Sequence, residues 1–143
     1  MKPCFSATSI TLILSAVFSA HPARAVEGST LSLKACSEMA AEINKTVPMA
    51  IDSFTTLETT FCTAGKGKPT LNYRAVMGAP KDRLNDIESG LLKMQSQQLN
   101  AWCTDPEQVK VIRVADIKNI YYDINRVYVG EIGMRFADCK LVK

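Results

Sequence analysis

The sequence predicts an α+β domain: a four-stranded antiparallel sheet made of two hairpins, with two main helices and a short helix on one face, in the order α-β-β-α-α-β-β. Three observations lead there. Apolar residues recur at spacings of three and four along two long segments, the period of an amphipathic helix. Two other regions alternate apolar and polar residues on either side of a turn, as hairpins do. The two hairpins are separated by helical segments, the arrangement of an α+β domain with helices segregated to one side of the sheet.

From Leu31 to about Val47, the residues Leu33, Cys36, Met39, Ala40, Ile43 and Val47 trace one helical face, and Pro48 ends or kinks it. Residues 54–63 carry two periods. Ile51, Phe54, Leu57 and Phe61 have helical spacing, whereas Leu57, Thr59 and Phe61 alternate as on a strand. Five threonines in this run favour the strand, because β-branched side chains suit a pleated surface. "AGKGKP" (Ala64 to Pro69) then supplies a turn with two glycines, its Lys66 and Lys68 read as solvated charges. "LNYRAVM" (Leu71 to Met77) completes the first hairpin, with Leu71, Tyr73, Ala75 and Met77 on one face.

After the break at "GAP", the residues Leu84, Ile87, Leu91, Met94 and Gln98 or Leu99 place a second helix over about Lys81 to Ala101. Gly90 is read as a close approach to the sheet, and Trp102 as core packing over a disulfide. "TDPE" reads as a capping box of Thr104 and Glu107 that opens a short helix to about Arg113. "DIKNIYYD" and "RVYVGEIGMRF" flank a turn at Asp123 to Arg126 and form the second hairpin, with Ile132, Met134 and Phe136 facing one way.

The first 25 residues have the layout of a secretory signal: Lys2, the apolar "ITLILSAVF", and "ARA" at Ala23 to Ala25 as a cleavage site. The apolar run falls short of a membrane span of about 20 residues. Cys4 precedes that run rather than following it, which argues against a lipid anchor. Cleavage near Ala25 leaves residues 26–143 as one domain, periplasmic or secreted. It removes Lys2 and Arg24 and no acid, taking the formal net charge from +3 to +1. So little charge gives no electrostatic reason to bind nucleic acid or a membrane surface.

His21, the one histidine, leaves with the leader. A Ser-His-Asp triad, a Cys-His dyad and histidine-ligated zinc are then not expected, nor is any cofactor or metal. Four cysteines remain, Cys36, Cys62, Cys103 and Cys139, and an even number in an exported chain predicts disulfides. Three pairings are possible; Cys36–Cys62 and Cys103–Cys139 are favoured, since each joins a helix to a nearby strand region.

Few residues invite chemistry. Asp52, with Ser53, Thr55, Thr56 and Glu58, offers either a carboxylate site or a turn whose side chain bonds its own backbone amides. Asp82, Asp86 and Glu88 lack calcium-loop spacing and suit the start of a helix. Tyr121, Tyr122 and Tyr128 lie on the terminal hairpin, and alternation puts Tyr121 and Tyr122 on opposite faces. Tyr121, Tyr128 and Asp52 are the candidate binding residues.

The ordered set Asn44, Pro48, Asp52, Thr56–Leu57, Leu71-x-Tyr73, Cys103-x-x-Pro106, Tyr122 and Cys139 resembles a family of small exported proteobacterial proteins, mostly uncharacterised. The chain departs from that pattern at Ala75, where the family has an aromatic, at "DINR", where it has a glycine, and in the added pair Cys36 and Cys62. A more distant likeness in outline is to the quorum-sensing-regulated virulence factors of pseudomonads. Neither resemblance implies a catalytic residue. The function expected is that of an exported, non-enzymatic protein of the bacterial envelope with a protein partner: an accessory factor, inhibitor or immunity protein. The binding surface would be the sheet face opposite the helices, or the terminal strand edge. The alternatives are a small carboxylate-dependent hydrolase built on Asp52 and a small-ligand carrier.

Overall fold

Ser32 opens the first helix by accepting a hydrogen bond from the Ala35 amide at 3.0 Å. The computed structural model describes residues 30–142, so the expected leader lies outside the described residues. Helix α1 spans Leu33–Asn44. A cis Val47–Pro48 peptide leads into β1 (Met49–Ala50), followed by β2 (Thr55–Thr63) and β3 (Thr70–Met77). Helix α2 (Ile87–Thr104) and helix α3 (Pro106–Val114) precede β4 (Asp116–Tyr122) and β5 (Tyr128–Met134). A 3-10 segment, Phe136–Leu141, closes the chain.

The sheet is five-stranded and mixed, in the order β1-β2-β3-β4-β5, which corrects the expected four antiparallel strands. The first difference is β1, whose two residues pair Met49 with Leu57 and Ala50 with Thr56. Two residues are too few to show a period. The second difference is that β3 and β4 run parallel, from Thr70 opposite Asp116 to Val76 opposite Tyr122. After β3 the chain returns through α2 and α3 to the end where β3 began, and a helical crossover of this kind delivers a parallel strand. The two expected hairpins, β2–β3 and β4–β5, are present within this frame.

Element ends differ in physically legible ways. Lys81–Arg83 forms a 3-10 turn, and Asp86, with φ of 47°, precedes α2, so the second helix starts at Ile87 rather than Lys81. The expected capping box at Thr104 is replaced by Asp105, whose carboxylate accepts from the Glu107 and Gln108 amides at 2.8 and 3.0 Å. Thr104 instead ends α2, its hydroxyl donating to Asn100 O at 2.9 Å. In the β2–β3 turn Gly67 takes φ of +80°. Lys68 is not a solvated charge: it pairs with Asp116 at 3.0 Å and donates to Ile112 O at 3.0 Å, because the turn folds against the end of α3.

Alternate strand residues face the helices and build the core: Leu57; Leu71, Tyr73, Ala75 and Met77; Ile117 and Tyr121; Ile132 and Met134. Disulfides join Cys36 of α1 to Cys62 of β2, and Cys103 near the end of α2 to Cys139. A close approach of helix to sheet is made at Gly130, where a Cβ would lie 2.4 Å from Leu91 Cδ1. Trp102, beside the second disulfide, is buried.

Several polar groups inside this core are specifically paired, although the buried Tyr73 hydroxyl meets no partner among the described residues. Gln98 of α2 is 2% exposed. Its Nε2 donates to the Tyr121 hydroxyl at 3.2 Å, and its Oε1 accepts from Asn119 Nδ2. Burial pushes the Tyr121 pKa up to about 12, with the Gln98 hydrogen bond acting in the opposite sense. At the other side of the sheet the Asn44 amide bonds both backbone groups of Thr60, accepting from its N–H and donating to its carbonyl, each at 2.7 Å. It completes part of the β2 edge as a strand would.

Asp123 holds the β4–β5 turn. Its carboxylate accepts from the Asn125 and Val127 amides and from the Lys81 amide, each at 2.8 Å. Burial alone opposes ionisation, but these three donors prevail and hold the carboxyl below its ordinary value of 3.8.

These arrangements lead to three measurable outcomes. Gln98→Ala strands the Asn119 amide in the core and is expected to lower unfolding free energy by about 2–3 kcal/mol, against about 1 kcal/mol for Tyr121→Phe. Urea titration of both variants checks the order, and a costlier Tyr121→Phe would contradict it. Because the folded pKa of Asp123 is depressed, its contribution to stability is complete above the ordinary carboxylate value and is lost as pH falls through the folded one. Thermal melts against pH should therefore show Asp123→Ala with a lower Tm at neutrality and a shallower fall in acid than the parent. Replacing Cys103 and Cys139 together by serine should cost about 2–4 kcal/mol, read from the denaturation midpoint.

Candidate functional site

The helices cover one face of the sheet and leave the other open. Strand alternation sends Arg74 and Val76 of β3, and Lys118, Ile120 and Tyr122 of β4, to that open face. A register shift in β2 between Leu57, opposite Ala75, and Thr59, opposite Arg74, leaves Glu58 as the extra residue. A second shift at the start of β5 sets Tyr128 across from Tyr122.

An aromatic and cationic run crosses this face. The rings of Tyr122 and Tyr128 meet edge to face with centroids 6.0 Å apart. The Arg74 guanidinium lies 4.5 Å from the centroid of the Tyr122 ring. Tyr128 is 46% exposed. Loss of solvent at its hydroxyl, and then the neighbouring Glu131 carboxylate, raise its pKa. Two ion pairs flank the run: Arg126 with Glu58, and Lys118 with Glu131 at 3.0 Å. Phe61, Val127 and Ile124 add exposed apolar surface on β2 and the β4–β5 turn.

The sheet edges are less available than the face. The β1 strand and the Asn44 amide occupy the β2 edge. On β5, the Tyr128 carbonyl accepts from Lys81 Nζ at 2.8 Å and the Gly133 carbonyl from Gln95 Nε2 at 3.0 Å. A groove of about 760 Å³ runs between α2 and the lower ends of β4 and β5, with Leu92, Leu99 and Met134 beside Asp116, Arg135 and Asp138. There the Arg135 hydrogen bond holds the Asp138 carboxyl below its ordinary range.

The three candidate binding residues do not share a surface, although the Asp52 charge reaches Tyr121 and adds to the rise in its pKa. Tyr128 stands on the open face. Tyr121 is fully buried on the opposite face, bonded to Gln98, and is corrected from a binding anchor to a core residue. Asp52 is a turn residue: its Oδ1 accepts from the Phe54 and Thr55 amides, each at 2.7 Å. The sequence reading named neither Tyr122 nor Arg74 as a site residue. Lys118 carried the missing signal, since a charged residue in β4 marks the outward phase and Tyr122 shares it.

Among the described residues no helix is long and apolar enough to cross a membrane, and no group of three or more His, Cys, Asp or Glu side chains is placed to hold a metal. No family model matches the chain, and no curated protein sequence does. Two solved structures share its fold. One is a protein of Pseudomonas aeruginosa assigned as secreted (PA3611), with a TM-score of 0.57 and 17% identity, covering 78% of this chain and 99% of that one. The other is the pilotin EpsS of the Vibrio vulnificus type 2 secretion system, with a TM-score of 0.55 and 8% identity, covering 75% of this chain and 90% of that one. The chain is thus similar in fold, across most of its length, to a pseudomonad protein assigned as secreted and to a secretion-system pilotin.

Proposed function

We propose that this is an exported, non-enzymatic protein of the bacterial cell envelope that binds another protein through the open face of its sheet. The observation that carries this reading is the Tyr128–Tyr122–Arg74 run. Tyrosine and arginine are the side chains that protein interfaces favour as anchors, because they bring large contact area and directed hydrogen bonds together. The two disulfides suit an oxidising compartment. The fold shared with a secretion-system pilotin favours an accessory factor over an inhibitor or immunity protein. The hydrolase alternative rested on Asp52, and the binding of that carboxylate to its own turn amides weighs against it.

The test is capture of a saturable, stoichiometric partner from an envelope extract, followed by binding measurements with variants. Tyr128→Ala and Tyr122→Ala should each weaken the complex by about 2 kcal/mol or more. Lys93→Ala, at an exposed position on α2, should bind as the parent does. Equal binding by all three variants would move the interface off this face.

A further inference from the structure

The chemistry of the open face specifies the kind of protein that covers it. Around the tyrosines its charges are three cations, Arg74, Arg126 and Lys118, against two carboxylates, Glu58 and Glu131, while Asp116 at the start of β4 is paired with Lys68. Both carboxylates are engaged, Glu58 by Arg126 and Glu131 by Lys118. Arg74 is the cation left over. It sits on β3, the middle strand, and among the described residues its guanidinium meets no carboxylate or carbonyl oxygen; its Nε–H is buried without an acceptor.

Stacking on Tyr122 engages the flat side of the guanidinium. A guanidinium carries five N–H donors around its rim, in a fork that matches the two oxygens of a carboxylate. The Nε–H is buried, so a docking acceptor meets the guanidinium at its Nη groups, which make no hydrogen bond among the described residues. We propose that the open face receives an acidic segment of the protein partner, one carboxylate of which docks on the rim of Arg74 while apolar neighbours pack on Tyr122 and Tyr128. This rests on the protein-binding reading above and adds the chemistry of the partner. A single surplus cation fits a single carboxylate. Polyphosphates, nucleic acid and anionic bilayers are held by clusters of cations, which this face does not present.

The experiment follows the Arg74 Nε–Hε resonance in nitrogen-15 spectra of the disulfide-bonded protein. The probes are a capped peptide alternating glutamate with leucine, the same peptide with glutamine for glutamate, inorganic phosphate, and phosphatidylglycerol vesicles. The glutamate peptide is expected to shift Arg74, Ile120 and Tyr122 saturably, and the glutamine peptide to bind at least about tenfold more weakly. Arg74→Gln should lose a similar factor while remaining folded, with only the small drop in melting temperature that loss of the Tyr122 stack implies, and Arg74→Lys should recover part of the affinity. No saturable shift, equal affinity for the two peptides, an unaffected Arg74→Gln, or tighter binding of phosphate or vesicles each overturns the proposal. Partner capture separates it from the reading beneath it. If Tyr128→Ala abolishes capture and Arg74→Gln does not, the face binds a protein and the carboxylate anchor falls. If neither variant changes capture, the interface lies elsewhere.

Discussion

Gln98 reaches from α2 to two side chains of β4, donating to Tyr121 and accepting from Asn119. A primary amide buried in a hydrocarbon core has to find partners on both its ends, since each group left unmet costs about 1–3 kcal/mol. Here both partners sit on one strand, two residues apart. That fixes the height of α2 over the sheet and the phase of β4 at once. A slip of one residue would turn Ile120 and Tyr122 inward, exposing Asn119 and Tyr121 and leaving the amide of Gln98 without either partner. The open face owes its composition to this choice, because the phase that buries Tyr121 is the one that presents Tyr122.

The end of the sheet nearest the tyrosines is tied down by a second polar group. Asp123 binds the amides of its own turn and the Lys81 amide from the segment after β3. The Lys81 side chain in turn reaches the Tyr128 carbonyl. The position of Tyr128 is therefore set by a crosslinked corner rather than by a free hairpin tip. With the β5 edge engaged at two carbonyls by the molecule's own side chains and the helices on the other side, the open face is where this rigid scaffold presents the Tyr122–Arg74 stack.

Much of the fold was legible in the chain. The 3.6-residue period of α1, the β-branched run of β2 and the alternation of Leu71, Tyr73, Ala75 and Met77 each appear where expected. For Asp52 the sequence offered a turn or a carboxylate site, and the bonds to its own turn amides are those of the turn. The sheet topology was less accessible. Two hairpins in a sequence say nothing about how one hairpin lies against the other, and the parallel junction of β3 with β4 comes from the crossover between them. Met49 and Ala50 are a strand only because Leu57 and Thr56 lie beside them. Lys68 looks like any solvated turn lysine until Asp116, far along the chain, arrives next to it.

By itself the sequence determined the helices, the hairpins and a set of four cysteines suited to two disulfides, because these depend on neighbours within a few residues or on composition. The tertiary structure decided which tyrosine of the Tyr121–Tyr122 pair faces solvent, that Arg74 meets no carboxylate among the described residues, and that the sheet is mixed. Those outcomes depend on pairings across the sheet and on the demand of a buried amide in α2. Groups that far apart in the chain meet only when the whole domain is assembled.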